Sequence, residues 1–307
     1  MGVSGGGHGA GWPLEPWTIQ LLADLQAGDY QPTAWVRFFH ESWRRARATA
    51  RHYPALLDAW RNLSLAVLAG SAVPLTCAWR RYGSRPARRM GGMLLAGLAL
   101  QQADAYIHLG LNRRLPDGLL LPAFGPAIWL SYLRGSVAYW LLAATGAGLD
   151  ISRLAPGALI VGALTDALDG PIAHRLGQAT KLGAYVDGEA DLVLAVALTQ
   201  AAVRHGALPA RARWLPAARY ALPVGVAFGA ALLGGRTPAL EHTLLGRLCG
   251  VAQTGLLGCA LAPRHFQPSD RSRRRLLAIT AALSAASAVA QVPRILGAGQ
   301  RDGWPRR

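Results

Sequence analysis

Four aspartates lie within 26 residues in the middle of an otherwise apolar chain, at Asp166, Asp169, Asp187 and Asp191. Apolar runs of helical character flank them on both sides. A carboxylate near the centre of a membrane helix costs about 2.5–3.5 kcal/mol on insertion scales, so four of them on two successive helices require compensating cations. Oxygen-only ligands favour Mg²⁺, Mn²⁺ or Ca²⁺, and the pattern therefore predicts a divalent metal.

The composition indicates a membrane protein. Hydrophobic residues make up 52% of the 307 positions and charged residues 16%, against about 25% charged residues in soluble domains. Eight apolar runs approach the roughly 20 residues that span a bilayer. They cover residues 62–79, 91–111, 127–145, 156–174, 184–203, 217–233, 244–261 and 276–292. The second run is the weakest, because it holds two glutamines, an aspartate and a histidine.

The charge is strongly positive, at +16, and 31 of the 32 basic residues are arginines. In a chain with long apolar runs, a basic surface favours anionic lipid headgroups as partners. We expect no nucleic-acid partner, since no recognition module is present. Cys77, Cys249 and Cys259 lie in apolar runs, with neither a disulfide framework nor zinc-ligand spacing.

The spacing around the aspartates matches a known signature at seven of its eight fixed positions. The segment closely resembles D-x2-D-G-x2-A-R-x8-G-x3-D-x3-D, the signature of the CDP-alcohol phosphatidyltransferases. The departure is His174, where the family has Arg. The positions concerned are Asp166, Asp169, Gly170, Ala173, His174, Gly183, Asp187 and Asp191.

Two weaker similarities support this resemblance. The segment from Leu130 to Arg134 is similar to the L-T-x-x-R of the family's first core helix, and Gly246-Arg247 with Gln253 is similar to G-K-x-K-T-x-x-Q on its fifth. The resemblance implies an all-α integral membrane protein with a six-helix core, and the composition of residues 1–120, which have no counterpart in the family, adds an N-terminal helical extension.

The segments that we expect follow from this resemblance and from composition. Residues 1–11 form a flexible Gly-rich tail, residues 12–120 an N-terminal region with interfacial amphipathic helices and one or two membrane helices, residues 121–298 the six-helix core, and residues 299–307 a basic tail. Within the N-terminal region, Trp35, Phe38, Phe39, Trp43 and Ala46 share one helical face flanked by arginines, which is typical of a helix in the membrane interface. A soluble helix that packs on a partner is the alternative.

The resemblance also implies a chemistry. The donor is a CDP-linked lipid such as CDP-diacylglycerol; an alcohol attacks its β-phosphoryl group and CMP leaves. Asp166, Asp169 and Asp187 match metal ligands for one or two Mg²⁺ or Mn²⁺ ions. Asp191 matches the general base for the alcohol and is included among the metal ligands.

Two further groups of residues are assigned to the substrates. Gly170, Ala173, His174 and Gly183 match positions that contact the cytidine nucleotide. The acceptor stays open between a small alcohol, a phosphorylated alcohol and another phospholipid. A phosphorylated acceptor needs basic residues near the metal. The weak candidates for that role are Arg134, Lys181, Arg236 and Arg247.

Helical spacing makes this arrangement plausible from the residues alone. Asp166 and Asp169 share one helical face, as do Asp187 and Asp191, and glycines in the short connection make the two helices antiparallel neighbours. Glu189 points about 160–200° away from the second pair, so we expect it to face another helix or a dimer contact. His108 is four residues from Asp104 in an apolar run, which predicts a polar helix–helix contact.

Three other interpretations stay open. The aspartates form salt bridges with Arg134, Arg175 or Arg247; or they line an ion or proton pathway; or His174 marks a catalytically altered member that serves as a membrane scaffold or lipid-binding protein. A homodimer also stays open.

The expected location rests on the resemblance. It is the cell inner membrane, with the active site facing the cytoplasm. This orientation places the arginine-rich segments 80–89, 204–219 and 264–275 outside, against the positive-inside tendency.

Overall fold

The computed structural model describes residues 16–297, except residue 116, residues 235–242 and residues 264–265. This part of the chain is helical, and its only β structure is a pair of isolated bridges, so the predicted all-α fold is confirmed. The expected tails at 1–11 and 299–307 lie outside the described residues, as does Arg236. The α-helices are α1 (Pro16–Ala27), α2 (Pro32–His52), α3 (Pro54–Tyr82), α4 (Ser84–Ile107), α5 (Pro126–Ala147), α6 (Ala155–Arg175), α7 (Lys181–Arg204), α8 (Leu222–Gly234), α9 (Leu244–Leu261) and α10 (Asp270–Gly297).

Four segments of the described chain are long and apolar enough to cross a membrane. They are Pro54–Tyr82, Ala210–Leu232, Leu244–Leu261 and Asp270–Pro293, and each contains or overlaps one of the eight predicted runs. The other four runs form most of α4, α5, α6 and α7. Polar and charged side chains lower the hydropathy of these helices, among them Arg134 and the aspartates.

The described chain divides into two compact units. One contains the described residues within 1–41, 214–256 and 268–307, and the other contains those within 42–213 and 257–267. The predicted core at 121–298, its six-helix count and the boundary near residue 120 stay predictions.

The second unit is built around α5, which packs against α4, α6 and α7, while α3 packs on α4. One buried cluster joins Leu56 and Leu63 of α3 to Tyr132 of α5 and to Leu182 and Val186 of α7. Helix α3, which precedes α5 in the chain, therefore shares a hydrophobic core with the helix that carries two of the aspartates.

The first unit contains α1, α8, α10 and most of α9. α8 follows a π-helical turn at Ala217–Ala221 and packs on α1 and α10. Hydroxyl and thiol groups link α9 to α10: the Cys249 Sγ lies 3.2 Å from the Ser284 Oγ, and Thr280 donates to the Ala252 carbonyl at 3.3 Å. Small polar residues are usual where membrane helices approach closely.

The residues predicted on one face of α2 differ in how exposed they are. Trp35 contacts Phe39 with ring centroids 6.0 Å apart, and Phe39 is 62% exposed. Trp43 packs on Tyr106 at 5.2 Å, and Ala46 is buried. One end of this face is therefore exposed and the other takes part in packing.

Candidate metal centre

Two neighbouring helices of the second unit carry the four aspartates. α6 has a proline in its first turn, where the missing N–H costs no hydrogen bond. After α6, Gly177 turns the chain in the left-handed region at φ +61°. Thr180 then caps α7 by accepting a hydrogen bond from the Gly183 amide at 3.0 Å. This short connection makes α6 and α7 adjacent.

The structure brings three of the aspartates together. One carboxylate oxygen from each of Asp166, Asp169 and Asp187 lies within 4.8 Å of the other two. Metal–oxygen bonds are about 2.0–2.1 Å for Mg²⁺ and 2.3–2.6 Å for Ca²⁺, so the three side chains would have to move closer together, and away from Arg134, to bind one ion. The all-oxygen donor set fits a divalent cation.

The guanidinium of Arg134 lies among all four aspartates. Its Nη1 is 3.3 Å from Asp169 and 3.7 Å from Asp166, and its Nε is 3.2 Å from Asp191. Its Nη2 forms an ion pair with Asp187. Arg134 is only 1% exposed. Four carboxylates and one guanidinium carry a formal charge of −3, and a charge excess beside a buried group favours binding of a further cation.

The sequence predicts Arg134 as a weak acceptor contact, and the alternative interpretation of the aspartates makes it one of their possible ion-pair partners. The ion pairs are present in the structure, and the acceptor contact stays a prediction. Ser131, one turn earlier on α5, donates to the Asp169 carboxylate at 3.4 Å. Sequence analysis missed Ser131, although its position in the segment similar to L-T-x-x-R was a signal.

The four residues assigned to the nucleotide lie in the second half of α6 and the first turn of α7. Gly170 is exposed, and a Cβ added there would meet no atom within 4 Å. Ala173 and Gly183 are half-buried, and His174 is exposed. The open space at Gly170 leaves room for a bulky ligand, and its contact with a nucleotide stays a prediction.

The basic residues assigned to the acceptor are distributed over the chain. Lys181 is half-buried in the first turn of α7, six positions before Asp187. Arg247 is exposed on α9 in the other unit. Their roles stay predictions.

The opposite face of α7 holds a second polar cluster. Tyr139 of α5 donates to Glu189 at 3.4 Å, so Glu189 faces another helix, as predicted. Tyr185 donates to Asp104 of α4 at 3.0 Å, and its ring lies 4.4 Å from the His108 ring. The predicted polar helix contact of His108 and Asp104 is thus confirmed, and its partner is α7.

The loop between α4 and α5 is hydrogen-bonded to the start of α7. The Leu115 amide donates to the Ala179 carbonyl at 2.9 Å, and the Lys181 amide donates to the Arg113 carbonyl at 3.0 Å. Within the loop, the hydrogen bond from Arg114 lowers the pKa of Asp117 to about 2. Sequence analysis gave no signal for this contact, because backbone groups make it.

Comparison with known proteins adds the family. The model of the CDP-alcohol phosphatidyltransferases matches residues 126–290, which is more than half of the chain. The chain belongs to this family. The matched range contains α5, α6 and α7 and therefore all four aspartates. No curated protein and no solved structure gave a significant match.

Membership of the CDP-alcohol phosphatidyltransferases identifies an all-α integral membrane protein of phospholipid synthesis. The general chemistry of the family is transfer of a phosphatidyl-type group from a CDP-alcohol to an acceptor. Helices α1 to α4 precede the matched range. The contacts that Asp104 and the α4–α5 loop make with α7 therefore come from outside the matched range, whereas the contact from Tyr139 lies within it.

Proposed function

We propose that the protein transfers a phosphatidyl-type group from a CDP-diacylglycerol-like lipid to an alcohol and releases CMP, and that it requires Mg²⁺ or Mn²⁺. The observation that supports this most is the convergence of three aspartate oxygens within 4.8 Å at the spacing of the family signature. We place the site at the cytoplasmic face of the cell inner membrane, as the resemblance implies.

In this proposal Asp166, Asp169 and Asp187 hold one or two divalent ions, and Asp191 adjoins them. A bound ion neutralises the diphosphate and makes the β-phosphorus more electrophilic. Asp191 accepts the proton of the acceptor hydroxyl. Its side chain is 32% exposed and lies 3.2 Å from the Arg134 Nε, so it is accessible and held in place. Such a base acts only at hydrogen-bond distance from the hydroxyl.

CMP release tests this proposal. Purified protein in detergent is given CDP-diacylglycerol and, in turn, glycerol phosphate, inositol phosphate, serine or a phospholipid. With one of these acceptors we expect CMP release in Mg²⁺ or Mn²⁺ and none in EDTA, and Asp187→Asn is the inactive control. Turnover that is insensitive to EDTA would contradict the metal requirement. It would leave only the general transferase chemistry of the family.

The second candidate function is a catalytically altered member that binds lipid, and the observation behind it is His174. An imidazole donates fewer hydrogen bonds to a phosphate than the family's arginine. We predict that His174→Arg preserves the fold and tightens donor binding, because one charge-assisted hydrogen bond contributes about 1.5–3 kcal/mol. The measurement is the donor KM of both forms from pH 6 to pH 8. Equal values at every pH would show that residue 174 does not contact the nucleotide.

A further inference from the structure

The loop between α4 and α5 pairs with the connection between α6 and α7 through an antiparallel β-bridge. Arg114 lies directly opposite Thr180 in this bridge, and the backbone hydrogen bonds at Ala179 and Lys181 flank the pair on either side. Arg114 precedes the matched range 126–290, whereas Thr180 lies within it. The loop therefore brings a basic side chain from outside the matched range to the start of α7.

The register of the bridge decides which side of α7 the Arg114 side chain lies on. Directly opposed residues of an antiparallel pair project to the same face, with Cβ atoms about 5 Å apart. The Thr180 hydroxyl accepts a hydrogen bond from the Gly183 amide at 3.0 Å, and a Cβ at Gly183 would lie 3.3 Å from that hydroxyl. Thr180, Gly183 and Asp187 are three and four residues apart, so they share one face of α7. The Arg114 side chain therefore begins beside Gly183, at the end of the face that carries Asp187.

The guanidinium of Arg114 is held in place and still has N–H donors to offer. Its Nε donates to the Asp117 carboxylate at 3.0 Å, and its Nη2 pairs with the same carboxylate. The Leu119 amide also donates to Asp117, at 3.2 Å, so the carboxylate is itself fixed within the turn. The Arg114 side chain is 36% exposed, and no hydrogen bond within the described part of the chain uses its Nη1. A planar guanidinium with an unused edge binds phosphate oxygens through its N–H groups.

The end of α6 lies at the same connection. The Gln178 amide donates to the Ala173 carbonyl at 2.9 Å, which folds the connection back against the last turn of α6. His174 belongs to that turn and is exposed, and it stands where the family signature has an arginine. The residues assigned to the nucleotide on α6, and Gly183 on α7, therefore flank the segment to which the loop of Arg114 is bonded.

We propose that Arg114 donates hydrogen bonds to the diphosphate of the CDP-linked donor. It supplies phosphate donors that an imidazole at residue 174 does not, and it does so from a segment that the family signature does not include. Arg114 makes and breaks no covalent bond, so its contribution is to donor affinity. The inference rests on the proposed function, because the proposed donor is the ligand of this contact.

Calorimetric titration of CDP into the protein in detergent with Mn²⁺ measures this contact without turnover. We expect Arg114→Gln to weaken CDP binding by about tenfold, the effect of one charge-assisted hydrogen bond at a partly exposed site. Displacement of CDP by cytidine, which has no phosphate, gives the affinity for the nucleoside alone. That affinity should be the same in the natural protein and in Arg114→Gln. An equal loss for CDP and cytidine would show that Arg114 does not contact the phosphates, and the proposal would fail.

Two matched controls separate the contact from effects of charge and of loop structure. Arg175→Gln removes the same charge from the exposed last residue of α6, and CDP binding should be unchanged. Asp117→Asn breaks the ion pair that fixes the turn and keeps the guanidinium, so CDP binding should not weaken. If either control loses as much CDP affinity as Arg114→Gln, the loss reflects general charge or the order of the loop, and the proposal is overturned.

The same titrations distinguish a failure of this inference from a failure of the proposed function. Equal CDP binding by the natural protein and by Arg114→Gln would overturn the inference alone, because a nucleotide site would still be present. Absence of CDP binding by the natural protein with Mn²⁺ would overturn both, since the proposed donor would then be wrong.

Discussion

A divalent cation bound by the aspartates, as we propose, would compete with Arg134 for the same carboxylate oxygens. Arg134 lies 3.2 to 3.7 Å from three of the aspartates and pairs with the fourth. Three of the four carboxylate side chains are 32–55% exposed, so losing the guanidinium destabilises the protein by less than the roughly 3–5 kcal/mol typical of a fully buried pair. Arg134 therefore stabilises the folded protein in the absence of a metal. It also reduces the binding free energy of a cation at these carboxylates, because the cation would have to displace it.

This competition predicts the behaviour of Arg134→Gln. Without metal the variant should unfold at a lower temperature than the natural protein, since four carboxylates then lack their counter-ion. Adding Mg²⁺ should raise its melting temperature by more than it raises that of the natural protein. Thermal melting in detergent with EDTA and with Mg²⁺ measures both effects, and Arg134→Lys, which keeps the charge, is the control. Equal melting in EDTA would show that the ion pairs contribute nothing.

The two aspartates of α7 are expected to differ in role. Asp187→Asn removes a ligand from the group of three whose oxygens converge, so metal affinity, donor affinity and turnover should all fall. Asp191→Asn should abolish turnover and keep more of the donor affinity, because we assign Asp191 chiefly as the base. Donor binding measured separately from CMP release distinguishes the two. An equal loss of donor affinity in both variants would make Asp191 primarily a ligand.

At the level of elements, hydrogen bonds connect α7 to parts of the chain that precede the matched range. Tyr185, two residues before Asp187, donates to Asp104 of α4, and the α4–α5 loop bonds to the backbone at Ala179 and Lys181. Groups that support a metal ligand from outside the coordination shell typically change metal affinity or activity by about 10–100-fold when removed. α4 and its loop are therefore positioned to affect the metal centre without contacting it.

We predict that Tyr185→Phe lowers Mn²⁺ affinity by about tenfold, the lower end of that range. The change removes the hydroxyl that fixes α7 to Asp104 and keeps the ring that packs on His108. Tyr106→Phe is the matched control, because the ring of Tyr106 packs on Trp43 and Trp60. Electron paramagnetic resonance of bound Mn²⁺ gives both dissociation constants. If the two variants bind Mn²⁺ equally, the contact with α4 does not position Asp187.

The sequence predicted what depends on spacing and missed what depends on tertiary contact. Helical spacing alone placed the aspartates on shared faces and turned Glu189 away from them. The central position of Arg134 required the packing of α5 against α6 and α7, which no local pattern specifies. The loop that bonds to Ala179 uses backbone amides, and these carry no signature in the side chains.

At the level of the whole molecule, the clustered acidic side chains and a group of basic side chains lie in different units. The four aspartates form a negatively charged cluster in the unit that contains α5, α6 and α7. The chain as a whole has the opposite charge, +16. The exposed arginines at the start of α10, Arg271, Arg274 and Arg275, belong to the other unit. The proposed metal centre therefore lies within one unit of the chain, and metal binding is expected to stabilise that unit.

This separation predicts where a metal protects the backbone. A ligand at 100 times its dissociation constant stabilises the folded state by about 2.7 kcal/mol, which slows amide exchange by about 100-fold wherever exchange requires opening of the liganded unit. Hydrogen exchange of the protein in detergent, with EDTA and with saturating Mg²⁺, should show this slowing in α5, α6 and α7 and little change in α10. Asp187→Asn should abolish the difference. Equal protection of α10 would mean that the two units open together, and protection of α10 alone would place the metal away from the aspartates.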